Sequence, residues 1–433
     1  MRRPPVDAIA SDMRYLCRTI GNRLAGSAGE EKAARYIAGR FRELGLENVA
    51  ILPFRCKRWI PGAGELVVLD PPPRHRIAAI PITHSASTPA AGIEGDLVTI
   101  EPIDYEEGLR CSGLRGKIGL FYGFYGESAD LFIRLQNSPL RALLFVDTRL
   151  QTRWPIANGM GEKFMRLVRK PMACISSVDA WAIARRGVRR ARLISTGTVV
   201  DGLSWNVCAD LPGSLRRAKI IALSAHLDSV AVGAGADDDA SGCVAVLEAA
   251  RRLRSSKRLH TIRFLCFGAE EQLSVGSSRY VAEQVPDLDA FALVVNFDAV
   301  APWIGRSEVL VTGTPALHRY VRTIVEQKLR FAKTISGTSP YQDAFPFAAK
   351  GIPGLWLTRV THGDLSWYHH SRHNDLDACS AVEISRAAGA GCEIVADLAR
   401  RGSWPFPKRI SAPLAREIRR WQRELFDNPR RRR

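Results

Sequence analysis

Between Lys219 and Leu357 the chain alternates short apolar runs with helical stretches. Lys219–Ala225, Thr261–Phe267, Phe291–Asn296, Val309–Thr312 and Leu355–Leu357 read as strands. Ala240–Arg254 reads as a helix with Cys243, Val246, Ala250 and Leu253 on one face. This alternation predicts an α/β fold, a three-layer sandwich around a mostly parallel central sheet. Functional side chains of such folds gather where strands end and loops begin.

The first 55 residues read as two helices and a strand. Ser27-Ala28-Gly29-Glu30 has the capping-box pattern, and Gly45 is placed to end the helix that follows. From 64 to 200 the texture changes to short apolar runs separated by Gly and Pro, which predicts a small β-rich module. The expected organisation is therefore a main domain of 1–63 and 201–404, an inserted domain of 64–200, and a basic tail of 405–433.

Nine single cysteines with no Cys-x-x-Cys exclude a zinc ribbon and argue against a disulfide framework. No apolar run approaches membrane-spanning length, and the N-terminus lacks the apolar core of a secretory signal. A cytoplasmic protein is expected. Of the net charge of +18, +8 lies in residues 401–433, which hold eleven Lys/Arg against three Asp/Glu. Leu414, Ile418, Trp421 and Leu425 form an apolar stripe there, so the tail helix could lie on an anionic membrane or a protein partner. No nucleic-acid recognition motif accompanies the charge, and no nucleic-acid partner is expected.

The acids and histidines of the second half follow the apolar runs. His226-Leu227-Asp228 closes the first, and Asp237-Asp238-Asp239 opens the next helix. Glu270-Glu271 and Asn296-Phe297-Asp298 close two more, and Tyr368-His369-His370 lies in a late loop. Adjacent carboxylates repel, and burial worsens the cost, so cations are the simplest compensation. Imidazole and carboxylate donors without thiolate suit zinc, manganese or cobalt, and the donors outnumber the needs of one tetrahedral ion. Taken alone, Asp239 could equally be a helix cap. No His-Glu-x-x-His helix, Gly-x-Ser-x-Gly elbow or Walker loop is present.

The order His-x-Asp-Ser, Gly-Ala-Asp-Asp-Asp-Ala-Ser-Gly, Glu-Glu, Asn-x-Asp and a late His resembles the co-catalytic dizinc aminopeptidase family. Its relatives include glutamate carboxypeptidases, glutaminyl cyclases and the transferrin receptor. The resemblance covers about 1–60 and 200–403, with its specific motifs between 224 and 298. Residues 64–200 resemble the protease-associated domain often inserted in these proteins.

The resemblance implies two divalent metal ions, expected to be zinc. It makes His226 and Asp298 ligands of one ion and Glu271 with a late histidine ligands of the other. Asp238 would bridge them, the peptide bond after it typically being cis. Asp228 would orient His226, and Glu270 would be the general base. His370 is the expected late ligand, with His369 as its alternative. Tyr368 could contact the oxyanion. Where the family often has Ser-Asp-His-x-Pro-Phe, this chain has Gln342-Asp343-Ala344-Phe345-Pro346-Phe347. Asp343 is then either a substrate-pocket residue or a helix cap. The function implied is an aminopeptidase acting on peptides. A dipeptidase or carboxypeptidase on the same site is the alternative, and a metal-free receptor-like protein is the competing non-enzymatic reading.

Overall fold

The computed structural model describes residues 6–100, 112–123, 128–147, 152–285, 287–328, 332–361 and 366–426. Cys111 and the terminal run Arg430–Arg433 lie outside these residues. The chain divides into two units. One comprises described residues within 1–56, 202–368 and 372–422, and the other those within 57–201, 369–371 and 423–433.

In the first unit the strand order is Lys333–Ser336, Arg306–Thr312, Gly354–Val360, Phe291–Phe297, Ile220–His226, Thr261–Phe267, then the end of Arg190–Leu211. Gly354–Val360, Phe291–Phe297, Ile220–His226 and Thr261–Phe267 run parallel. Arg306–Thr312 runs antiparallel to Gly354–Val360, and Arg190–Leu211 runs antiparallel to Thr261–Phe267. The sheet is parallel at its centre, where the site lies, and mixed outside it.

Side chains alternate between two buried faces, as strand geometry requires. Ile221, Leu223 and Ala225 join one core with residues of the helices Ala28–Glu43, Gly242–Leu253 and Ala381–Ala399. Ala222 joins another with Leu265, Phe267, Tyr280 and Phe347. Each large apolar side chain so buried contributes ~1.5–3 kcal/mol. Both faces are covered, which makes the three layers.

Ser27 caps its helix, its hydroxyl accepting from the Glu30 amide at 3.3 Å. Glu30 departs from the simple box, because its side chain is fully buried and accepts from the Gly26 amide at 2.6 Å. The helix Ala412–Trp421 belongs to the first unit instead of standing apart as a tail. It packs against Phe345–Ala349 with Leu414 and Ile418 buried, which leaves Arg416, Arg419 and Arg420 outside. Its apolar stripe is thus used within the protein, and a membrane or partner would meet only its basic face.

In the second unit Ile93–Ile100, Ile118–Tyr122, Ala142–Val146 and Met172–Cys174 pair in succession, all parallel. Helices Ala129–Asn137 and Ser177–Arg185 accompany them. Leu66, Ile118, Leu120, Leu144, Ala173 and Ile183 build a separate core. No disulfide joins the eight described cysteines. No helix among the described residues is long and apolar enough to cross a membrane.

Candidate metal centre

The chemistry-bearing residues of the first unit gather past the C-terminal ends of the parallel strands. His226 is the last residue of its strand, and Asp298 directly follows Phe297. Glu270 and Glu271 lie in a one-turn helix entered through Ala269, whose φ of 52° is left-handed. Asp237, Asp238 and Asp239 precede the helix Gly242–Leu253, and the Asp238–Asp239 peptide is cis.

Around His226 the carboxylates converge. Asp238 Oδ1 is 3.0 Å from Nε2, and Asp228 Oδ1 is 3.4 Å from Nδ1. Ligand atoms of His226, Asp239 and Asp298 lie within 4.8 Å of one another. Of the aspartates beside the ring, Asp239 is engaged by backbone amides. Its Oδ2 accepts from the His226 amide, and its Oδ1 accepts from the amides of Gly242 at 2.8 Å and Ala299 at 3.3 Å. A Cβ at Gly242 would stand 2.4 Å from both Asp239 oxygens, so only glycine admits this contact. Both Asp239 oxygens thus accept backbone amides, and Asp238 presents the oxygen that faces Nε2.

Asp228 does more than flank His226. Its Oδ1 accepts from the Glu270 amide at 2.8 Å and its Oδ2 from the Glu271 amide at 3.1 Å. Ser274 donates to Glu270 Oε1 at 3.1 Å. The two glutamates are thereby held by their backbone, with Glu270 also fixed at its side chain.

Electrostatics favour a cation here. Burial would lower the His226 pKa, but its bonds to Asp228 and Asp238 and the charges of Asp239 and Glu270 hold it well above the ordinary value. Burial raises Asp298 well above the carboxylate range, and Asp239 adds to this. Burial likewise raises Glu270; His226 opposes it, while Asp343, Asp298 and Glu271 reinforce it. A cluster of carboxylates around one imidazole thus carries excess negative charge, which divalent ions would neutralise. The Cys243 thiol is kept protonated, its bond to Cys266 and burial pushing it well up, and it donates to the His226 carbonyl. The donors are therefore imidazole and carboxylate without thiolate, a set that fits zinc.

Other expected residues take different places. Asp343 does not cap the helix Phe345–Ala349, whose N-cap is Ala344. It is fully buried and pushed up to about 7, first by burial, and its charge is felt by Glu270 and Asp298. Tyr368 donates its hydroxyl to the Ala378 carbonyl at 3.2 Å. His369 and His370 stack with ring centroids 3.7 Å apart, and His370 has a left-handed φ of 53°. The His370 carbonyl accepts from the Ala157 amide, and residues 369–371 group with the second unit.

Three supporting residues escaped sequence reasoning. Asp237, fully buried, accepts from the Ala301 amide and the Ser366 hydroxyl, both at 2.9 Å. Arg23, also buried, donates to the carbonyls of Gly21, Leu227, Ala234 and Gly235. Glu30 Oε1 accepts from the Ser204 hydroxyl at 2.7 Å and the Ala269 amide at 3.0 Å. Asp237 was visible as part of an aspartate triplet and Glu30 as a capping glutamate; neither pattern discloses partners so distant in sequence.

The family model for peptidase family M28 matches residues 206–395. Carboxypeptidase Q of Homo sapiens is 30% identical over 397 residues, covering 87% of this chain and 82% of the relative. Aminopeptidase YwaD of Bacillus subtilis is 28% identical over 375 residues, covering 83% and 77%. The structure of BSAP, a zinc aminopeptidase from Bacillus subtilis, superposes with a TM-score of 0.74 at 23% identity, covering 96% of this chain and 100% of that one.

Proposed function

Because the chain belongs to peptidase family M28 and so to the metallo-exopeptidases, we propose that it removes N-terminal residues from peptides at a dinuclear zinc site. The observation that carries this reading is the convergence of Asp238 and Asp298 on His226 beside a backbone-held Glu270.

In this reading His226 and Asp298 would hold one ion, Glu271 and the late histidine the other, and Asp238 would contribute to both. Bound there, the ions would polarise the scissile carbonyl and acidify a water molecule. Glu270, fixed by its amide and by Ser274, is the group that would take a proton from the attacking water and return it to the leaving amine. Asp228 keeps Glu270 in place through its amide and Glu271 through the next one.

A second reading, removal of C-terminal residues, is supported by the 30% identity to carboxypeptidase Q. A mass-spectrometric time course on short peptides, each free and N-acetylated, separates the two. Stepwise N-terminal loss from the free forms alone is the expected result. C-terminal loss from both forms would establish the second reading. Zinc-loaded protein that cleaves neither would refute both.

A further inference from the structure

Glu30 lies 239 positions before Ala269 in the chain, yet the two are hydrogen-bonded in the core of the first unit. Three successive amides, those of Ala269, Glu270 and Glu271, end on only two buried side chains. Glu30 takes the first at 3.0 Å, and Asp228 takes the second and third at 2.8 and 3.1 Å. Glu30 also receives the Ser204 hydroxyl and the Gly26 amide, so every partner it has is a donor. Burial and the charge of Asp228 push its pKa well up and these three donors oppose that; a carboxylate accepts from all three, whereas an amide side chain would set an NH2 group against an N–H.

The turn needs such restraint. Ala269 is a non-glycine residue in left-handed conformation, a state that persists when its surroundings over-determine it. The preceding residue makes the restraint sterically feasible. A Cβ at Gly268 would fall 2.2 Å from Ser204 Oγ and 2.6 Å from Glu30 Oε1, so glycine there opens the space for Glu30. Helix capping does not require this arrangement, since Ser27 already caps the helix and Glu30 Oε1 points away to Ser204 and Ala269.

We propose that Glu30 is a positioning residue for Glu270, fixing through the Ala269 amide the turn from which the base projects. This rests on Glu270 being the general base of the function proposed above. A shift of about 1 Å in a catalytic group costs on the order of 100-fold in rate.

The test uses full-length, zinc-loaded protein. Glu30→Met keeps the length but loses both acceptors, including the oxygen that holds the Ala269 amide. Amide hydrogen exchange across 268–273 should quicken, and kcat should fall by about 10- to 100-fold. KM should change by less than about threefold, because ground-state binding is untouched. Zinc content should be unchanged. Ser204→Ala, which leaves both amide contacts to Glu30 intact, should stay near wild type in exchange and kcat. If Glu30→Met does not fold, Gly268→Ala replaces it, displacing Glu30 Oε1 through the added Cβ, and should show the same quickened exchange. Unchanged exchange across 268–273 in the folded variant would overturn the proposal. So would wild-type kcat, or zinc content falling together with activity. A wild type that turns over no peptide would refute the proposed function, while the exchange measurement would still decide whether Glu30 holds the turn.

Discussion

Asp238 sets a carboxylate oxygen 3.0 Å from Nε2 of His226, the ring nitrogen remote from Asp228. Imidazole nitrogen and carboxylate oxygen are donors of the kind zinc takes, and Asp298 lies close to the ring with its pKa raised by burial. Holding these groups together without a cation is costly, so folding and metal binding should be linked.

Chelation should therefore lower the melting temperature as well as abolish peptide hydrolysis. A ligand present at 1,000 times its dissociation constant stabilises the folded state by about 4 kcal/mol. Calorimetry with and without chelator, followed by zinc titration, checks this. An apo protein as stable as the loaded one would show that the cluster holds no ion.

Glu270 and Glu271 are adjacent but should fail differently. Glu270→Gln should retain its zinc and lose roughly 100- to 10,000-fold in kcat, the usual worth of a general base. Glu271→Gln should lose zinc. Metal analysis beside steady-state kinetics separates the two. Equal zinc loss in both variants would place Glu270 among the ligands.

Strand ends were legible because a buried parallel strand must be apolar, so the first acid or histidine after it marks the edge of the sheet. His226 and Asp298 are of this kind. Capping chemistry likewise marked Ser27. What escaped depends on contacts between distant segments. Asp228 is followed at once by Ser229, and nothing local shows that its oxygens reach amides 42 and 43 positions away. The buried stripe of the C-terminal helix was visible as amphipathic, but periodicity does not say whether membrane, partner or its own chain covers it. The neighbouring helix Phe345–Ala349 covers it.

His84 gives the second unit its own pH dependence. Burial lowers its pKa from 6.5 to about 4, against hydrogen bonds to backbone of Lys57 and Thr83. Nε2 lies 2.9 Å from the Lys57 carbonyl, which only accepts, so Nε2 carries the proton of the neutral ring. Between pH 4 and 6.5 the unfolded chain binds more protons than the folded one. Stability is therefore complete above 6.5 and is lost as pH falls toward 4, by on the order of 3 kcal/mol. Urea unfolding at pH 4.5 and pH 7 should show a steeper loss in wild type than in His84→Asn, asparagine also tolerating the φ of 67° at this position. Equal loss in both would assign the acid sensitivity elsewhere.

Arg23 offers the sharpest test of how the metal-side loops are held. Its guanidinium is buried and reaches four carbonyls, with Nε on Leu227 at 2.8 Å, Nη1 on Ala234 at 2.6 Å and Gly21 at 3.2 Å, and Nη2 on Gly235 at 2.8 Å. Among the described residues it forms no ion pair, so its charge is met by carbonyl dipoles alone. Leu227 immediately precedes Asp228, and Gly235 lies three residues before Asp238. The planar fork of arginine fits this spread of acceptors; the single ammonium of lysine does not. Arg23→Lys should leave some of these carbonyls unsatisfied, each costing about 1–3 kcal/mol. It should also weaken zinc binding, because both Asp228 and Asp238 lose part of their support. Urea unfolding and zinc competition against a chromophoric chelator measure the two effects. A variant with lowered stability but wild-type zinc affinity would show that Arg23 braces the fold without positioning the ligands.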